Sequence, residues 1–280
     1  MKIIDAHFHY SKLDSFVKAA ADNGIDYTRA GLLKNCEENS VVAGVCMGLT
    51  ERSPGSFPDS ETPTPMNYDL DAMPENFYFC AGINPHQLNG DNIKELENTL
   101  IRPDCAGIKI YAGYFHYLVS DKIYDPVYSL ALKYDLPVAV HTGDTYSDRG
   151  LLKYSHPLSV DELAVKYPDL KIVICHLGNP WVMDTAEILY KNKKVYADIS
   201  GLQVGDKALF KRFCSEELYL NTFRTALIFA DCYEKIIYGS DWPLAPMKVY
   251  IDMVKLIVPE EHHRKVFYEN ALSVFKKIRT

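Results

Sequence analysis

Eight short apolar runs, separated by longer amphipathic segments, constrain this chain more than any other feature. They are KIIDA at 2–6, VVAGVCMG at 41–48, FYFCAGI at 77–83, AGIKIY at 106–111, LPVAVH at 136–141, KIVICH at 171–176, KVYADIS at 194–200 and KIIYGS at 235–240. Most are rich in β-branched or aromatic residues and lack strict polar alternation, the pattern of parallel strands covered on both faces. Helix-period segments lie between them, among them DYTRAGLLKNCEEN, DNIKELENTLI, YDPVYSLALKYD, SVDELAVKYP, MDTAEILYKN and MKVYIDMVKLIV. Strands and helices alternating eight times predict an α/β fold of the (β/α)8 TIM-barrel type, and 280 residues are enough for one such domain over 1–280. A doubly wound open sheet is disfavoured, because no glycine-rich phosphate loop follows the first run. The stretch 50–76 is rich in Pro, Ser and Thr and follows the second run directly. In a barrel it would sit at the catalytic face, as a lid or substrate loop.

A net charge of −7 gives no general electrostatic attraction to nucleic acid or anionic membranes, so neither is expected as a partner. Seven cysteines are scattered without a CxxC and read as free thiols, several of them inside apolar runs. No signal-peptide pattern opens the chain, and no stretch reaches about 18 apolar residues. The expectation is a cytoplasmic protein acting on a small molecule.

Barrel active sites are built at the C-terminal ends of the strands. Read in order, those ends carry His7 and His9, then Lys109, His141, His176 and Asp241. Residues two apart on a strand share a face, which would set Asp5, His7 and His9 side by side. Imidazoles with a carboxylate suit a divalent metal, zinc first and manganese next, whose bound water becomes a nucleophile near neutral pH. Asp241 could touch the metal and accept the water's proton, while His176 could be a ligand or could orient the reacting groups. Lys109 lies between Ile108 and Ile110, so it should point into the barrel. It either pairs with Asp241 or another carboxylate, or is carbamylated and bridges two metals. Arg52 in the long loop and His86 after the third run are candidate substrate contacts. Tyr111, Tyr114, Tyr117 and His116 either wall the site or, by the safer reading, pack a loop. Asp198 either supports the site from the seventh run or, by the safer reading, makes a structural hydrogen bond, and His262 and His263 read as surface residues.

The motifs DAHFH, AVHTGD, PDLKIVICHLGNPW and YGSDWP, with the closing FYENALSVFK, together resemble the amidohydrolase superfamily. They look most like its amidohydrolase-related group, which includes decarboxylases of aromatic acids and lactonases. The resemblance covers essentially the whole chain. It implies a distorted barrel with His7, His9, His141 and Asp241 as metal ligands, and His176 as a second-metal ligand or a catalytic group. GIKIY also resembles the carbamylated-lysine strand of two-metal members, so one or two ions are implied. FCAGINPH is similar to the strand-three end of TatD-type hydrolases, but Lys109 stands where those carry glutamate, which speaks against a nuclease. The leading expectation is a hydrolase that cleaves an amide, lactone or ester of a small molecule. The alternative is a metal-dependent, non-oxidative decarboxylase of a small unsaturated or aromatic acid. Barrels of this kind are often homodimers, although no interface is marked in the sequence.

Overall fold

Strands form where the apolar runs lie. The structure is a computed structural model that describes residues 1–11, 13–48 and 73–280. β1 (Ile3–Phe8), β2 (Val41–Met47), β3 (Phe77–Ile83), β4 (Cys105–Ile110), β5 (Val138–Val140), β6 (Ile172–Ile174), β7 (Val195–Asp198) and β8 (Ile236–Ile237) make one eight-stranded sheet in chain order. Every neighbouring pair is parallel. Backbone bonds from Ala6 N to Tyr238 O (3.0 Å), Asp241 N to His7 O (2.8 Å) and His9 N to Trp242 O (2.7 Å) join β1 to the segment around β8. The sheet thereby closes into a (β/α)8 barrel. β5, β6 and β8 are only three, three and two residues long, which is where the barrel is distorted.

The helices are α1 (Asp14–Asp22), α2 (Arg29–Glu38), α3 (Gly90–Leu100), α4 (Asp125–Lys133), α5 (Leu152–Ser155), α6 (Leu158–Lys166), α7 (Val182–Lys191), α8 (Lys207–Cys214), α9 (Glu217–Ala230), α10 (Met247–Ile257) and α11 (Asn270–Val274). Their starts follow ordinary capping chemistry. Thr28 accepts from Gly31 N before α2, Asn89 from Asp91 N and Asn92 N before α3, and Asp206 from Leu209 N before α8. None of the described helices is long and apolar enough to cross a membrane. All seven cysteines are free thiols, and six of them are buried.

The core divides as a barrel requires. Ala43, Val45, Met47, Cys80, Ala139, Val173, Cys175 and Ile237 share the interior cluster with Ile4 and Ala6. Ile108, Ile110, Val138, Val140, Ile172 and Ile174 pack against the helix layer. Lys109, flanked by two outward isoleucines, is therefore turned inward, as its neighbours predict.

Strict alternation fails on β1. Ile4 and Ala6 point inward, so Asp5 does not share the face of His7 and His9. The register of β1 against β2 shifts between Asp5 and Phe8. Such an irregularity changes which side chains face in. Asp5 instead reaches Ser240, whose backbone N–H and hydroxyl donate to Oδ1 and Oδ2 at 2.9 and 2.5 Å. Its buried carboxyl ties the first strand to the segment after the last one.

Candidate metal centre

His7, His9 and Asp241 are buried and bring three donor atoms within 4.8 Å of one another. His9 Nε2 is 3.0 Å and His7 Nε2 3.7 Å from Asp241 Oδ1. The Nδ1 of His7 lies 2.8 Å from Asp198 Oδ2. An ionised carboxylate only accepts, so the His7 proton sits on Nδ1 and its Nε2 offers a lone pair. That nitrogen and Asp241 Oδ1 have no hydrogen-bond partner among the described residues. Two buried acceptors facing each other are costly unless a cation joins them. A divalent ion fits this donor set, and the carboxylate–histidine contact behind His7 is the usual support for a ligating imidazole.

The electrostatics agree. Burial lowers the pKa of His7, His9, His141 and His176, and the Lys109 charge adds to each shift, so all four imidazoles favour the neutral, ligating form. Burial alone would raise the Asp241 carboxyl, but the neighbouring His9 side chain and the surrounding histidines outweigh it and hold it below the ordinary carboxylate range. A second grouping, His7, Cys175 and Asp198, is already closed. His7 Nδ1 is bonded to Asp198, and the Lys109 ammonium donates to Cys175 Sγ at 2.9 Å. Lys109 is fully buried, and the contact with Cys175 replaces the expected pairing with Asp241.

His176 stands between His7 and His141, with ring centroids 4.8 and 4.9 Å away. His141 Nε2 faces the Asp144 carbonyl at 2.8 Å, and His176 Nε2 faces His141 Nδ1 at 3.2 Å. Both of the residues singled out for catalysis have left-handed backbones, His176 at φ 60° and Asp241 at φ 59°. Such strain persists only where surrounding contacts over-determine it, and it concentrates at functional sites.

All six residues read from the strand ends, His7, His9, Lys109, His141, His176 and Asp241, line one small cavity of about 40 Å3. It adjoins a cavity of about 220 Å3 that shares His141, His176, Asp241, Tyr114 and Leu244 and is bounded by Asn179 and the turn 201–204. A larger, open hollow lies around Phe77, Tyr78 and Lys277 and contains none of the six. Tyr111 and Tyr114 wall the site beside His141, with ring centroids 6.4 and 4.9 Å away, so the packing-only reading of these two is corrected. Tyr117 fits that reading, since it packs against His86. His86 itself is exposed, contacts the rings of Phe115 and Tyr117, and lines neither cavity at the site. Arg52 and most of the 50–76 loop lie outside the described residues.

Several contributors escaped the sequence reading. Phe16, on α1, stacks on His9 with centroids 4.5 Å apart. Ser200 contacts His176, and Gly201 leaves room for both His176 and Asp241. The spacing of Asp198 and Ser200 at the end of β7 was the available signal. A Cβ at Gly201 would come within 2.7 Å of Asp241 Oδ2 and 2.8 Å of His176 Nδ1, at a φ of 58°. Gly201→Ala is expected to weaken metal binding about 10-fold or more by displacing these groups. Metal titration followed by mass spectrometry checks this, and wild-type affinity would show that the pocket accommodates the methyl.

The barrel and its rim agree with comparisons to known proteins. No protein of curated function matches the sequence. Among solved structures, an uncharacterised TIM-barrel protein from Bordetella bronchiseptica superposes with a TM-score of 0.69 at 16% identity, covering 99% of each chain. A probable 2-pyrone-4,6-dicarboxylic acid hydrolase from Acinetobacter baumannii, with citric acid bound, gives 0.65 at 17% identity over 99% of this chain and 100% of that one. A 5-carboxyvanillate decarboxylase from Novosphingobium aromaticivorans, complexed with manganese and a nitrobenzoic acid, gives 0.64 at 12% identity over 98% and 96%. At these identities the likeness establishes the fold. The amidohydrolase family model matches residues 4–277, nearly the whole chain. The chain therefore belongs to the amidohydrolase family and is a metal-dependent enzyme.

Proposed function

We propose that this enzyme decarboxylates a small, unsaturated or ring-bearing carboxylic acid without oxidation. The observation that carries the reading is a small cavity, partly walled by tyrosines, opening directly onto the His7, His9 and Asp241 cluster. Flat aromatic walls favour a planar substrate. The decarboxylase of similar fold supports the same reaction class. A divalent ion held by His7, His9 and Asp241, zinc or manganese by the chemistry of the donors, would supply Lewis-acid binding of the substrate's oxygens. His176 presents Nε2 to the cavity, takes up a proton there from solvent before the substrate closes the pocket, and delivers it to the carbon that loses carbon dioxide. The aromatic wall and the buried floor hold the ring and exclude water.

Hydrolysis is the second reading, favoured by the pyrone-dicarboxylate hydrolase of similar fold and by the ionised Asp241 carboxylate beside the donor cluster. Turnover in deuterated, oxygen-18-labelled water separates the two. Decarboxylation places one solvent deuterium on carbon and no heavy oxygen in the organic product, whereas hydrolysis places heavy oxygen in a new carboxylate. Heavy oxygen in the product would overturn the decarboxylase reading.

We place Lys109 as an unmodified ammonium rather than a carbamylated bridge, because its nitrogen is engaged with Cys175. Lys109→Ala is then expected to leave the metal content per chain unchanged by mass spectrometry. A fall from two equivalents to one or none would instead establish a bridge.

A further inference from the structure

We propose that Asp198 and Ser200 form one hydrogen-bond relay that sets the tautomers of both His7 and His176, so that a single carboxylate aims the metal ligand and the neighbouring proton-handling histidine. Asp198 is buried at the end of β7 and uses both oxygens. Oδ2 takes the Nδ1 proton of His7 at 2.8 Å. Oδ1 accepts from the Ser200 hydroxyl at 2.6 Å, from Ser200 N at 3.1 Å and from His176 N at 3.0 Å.

The Ser200 hydroxyl has one proton, and the carboxylate takes it. Ser200 Oγ therefore meets His176 Nδ1, 2.9 Å away, as an acceptor. The Ser200 carbonyl, 3.1 Å from the same nitrogen, can only accept. Two acceptors on Nδ1 fix the proton there and leave Nε2 bare toward the cavity. On the far side, His141 commits its own Nε2 proton to the Asp144 carbonyl, which leaves its Nδ1 as a third acceptor, 3.2 Å from His176 Nε2; the two acceptors at Nδ1, the nearer at 2.9 Å, outweigh it. The His176 N–H bond to Asp198 also anchors the left-handed backbone that turns this ring inward. Asp198 and Ser200 are thus positioning residues. Their effect on turnover rests on the role proposed for His176, but their effect on tautomers does not.

Nitrogen-15 NMR of the histidine side chains in metal-free protein tests the relay directly, on the wild type, Ser200→Ala, Ser200→Thr and Asp198→Asn. The wild type is expected to show His7 and His176 each as a single tautomer protonated at Nδ1. Ser200→Ala should move His176 toward the Nε2-protonated form and leave His7 unchanged, and Ser200→Thr should restore the wild-type pattern. Asp198→Asn should disturb both rings and weaken metal binding about 10- to 100-fold. In loaded enzyme, Ser200→Ala should lower kcat about 10-fold or more with KM little changed. A His176 that keeps its Nδ1 proton in Ser200→Ala, or that is unmoved by Asp198→Asn, overturns the relay. A shifted tautomer with undiminished kcat leaves the relay standing and removes His176 from the proposed proton transfer.

Discussion

Asparagine at position 241 is expected to cut turnover about 10³-fold while costing less than about 1 kcal/mol of stability. The argument rests on what the substitution leaves alone. Asp241 sits at φ 59°, a left-handed conformation that asparagine adopts nearly as readily as aspartate. Its backbone bonds, from its own N–H to His7 O and from Leu244 N–H to its carbonyl, are untouched. What is lost is the buried negative charge facing His7 Nε2 and His9 Nε2, together with a strong ion ligand. Alanine at the same place would add backbone strain of about 1 kcal/mol, so asparagine is the cleaner probe. Metal content, melting temperature and single-turnover rate measured on one preparation decide the matter. A near-normal rate in the asparagine variant would remove Asp241 from the chemistry.

The largest stability effect is expected away from the chemistry, at Asp5. Alanine there strands the buried backbone N–H and hydroxyl of Ser240 and loosens the N–H of His7. Two or more orphaned polar groups cost about 3 kcal/mol. Asparagine keeps an acceptor and should cost much less. Burial pushes the Asp5 carboxyl up to about 7, against the bonds from Ser240 and His7 that favour ionisation. The folded chain then holds this proton more tightly than the unfolded chain, whose carboxylates titrate near about 4. Stability from this group is complete below pH about 4 and fades as pH rises through about 7. Asp5→Asn should flatten that slope in denaturant titrations run from pH 5 to 8. An unchanged slope would mean that Asp5 is ionised throughout.

The strands were legible because parallel strands buried on both faces must be continuously apolar, and each of the eight runs contains an observed strand or most of one. The rim was legible for a related reason. Polar, metal-type residues at the ends of such runs have no place in a core, and a barrel brings those ends together whatever their distance along the chain. The contents of the turns were not legible. The face of Asp5 depends on an irregular register that no periodicity encodes. Ser200 and Gly201 act through backbone direction and through space left empty, and neither leaves a compositional mark. Phe16 reaches His9 from a helix whose apolar pattern is too brief to stand out. The tyrosines after β4 could be assigned to the wall only once the turn that carries them was placed.

The seam between β1 and β8 has a consequence for how the enzyme matures. Asp5 and Ser240 are 235 residues apart, and the proposed ion ligands straddle the same seam, His7 and His9 on one side and Asp241 on the other. A cross-link closing a loop of that length removes roughly 5 kcal/mol of chain freedom from the unfolded ensemble. A nascent chain on the ribosome cannot assemble this ligand set until its eighth strand has emerged and docked against the first. With this proposed ligand set, metal capture would be a late event in biogenesis, and a bound ion would fasten the two ends of the barrel to each other.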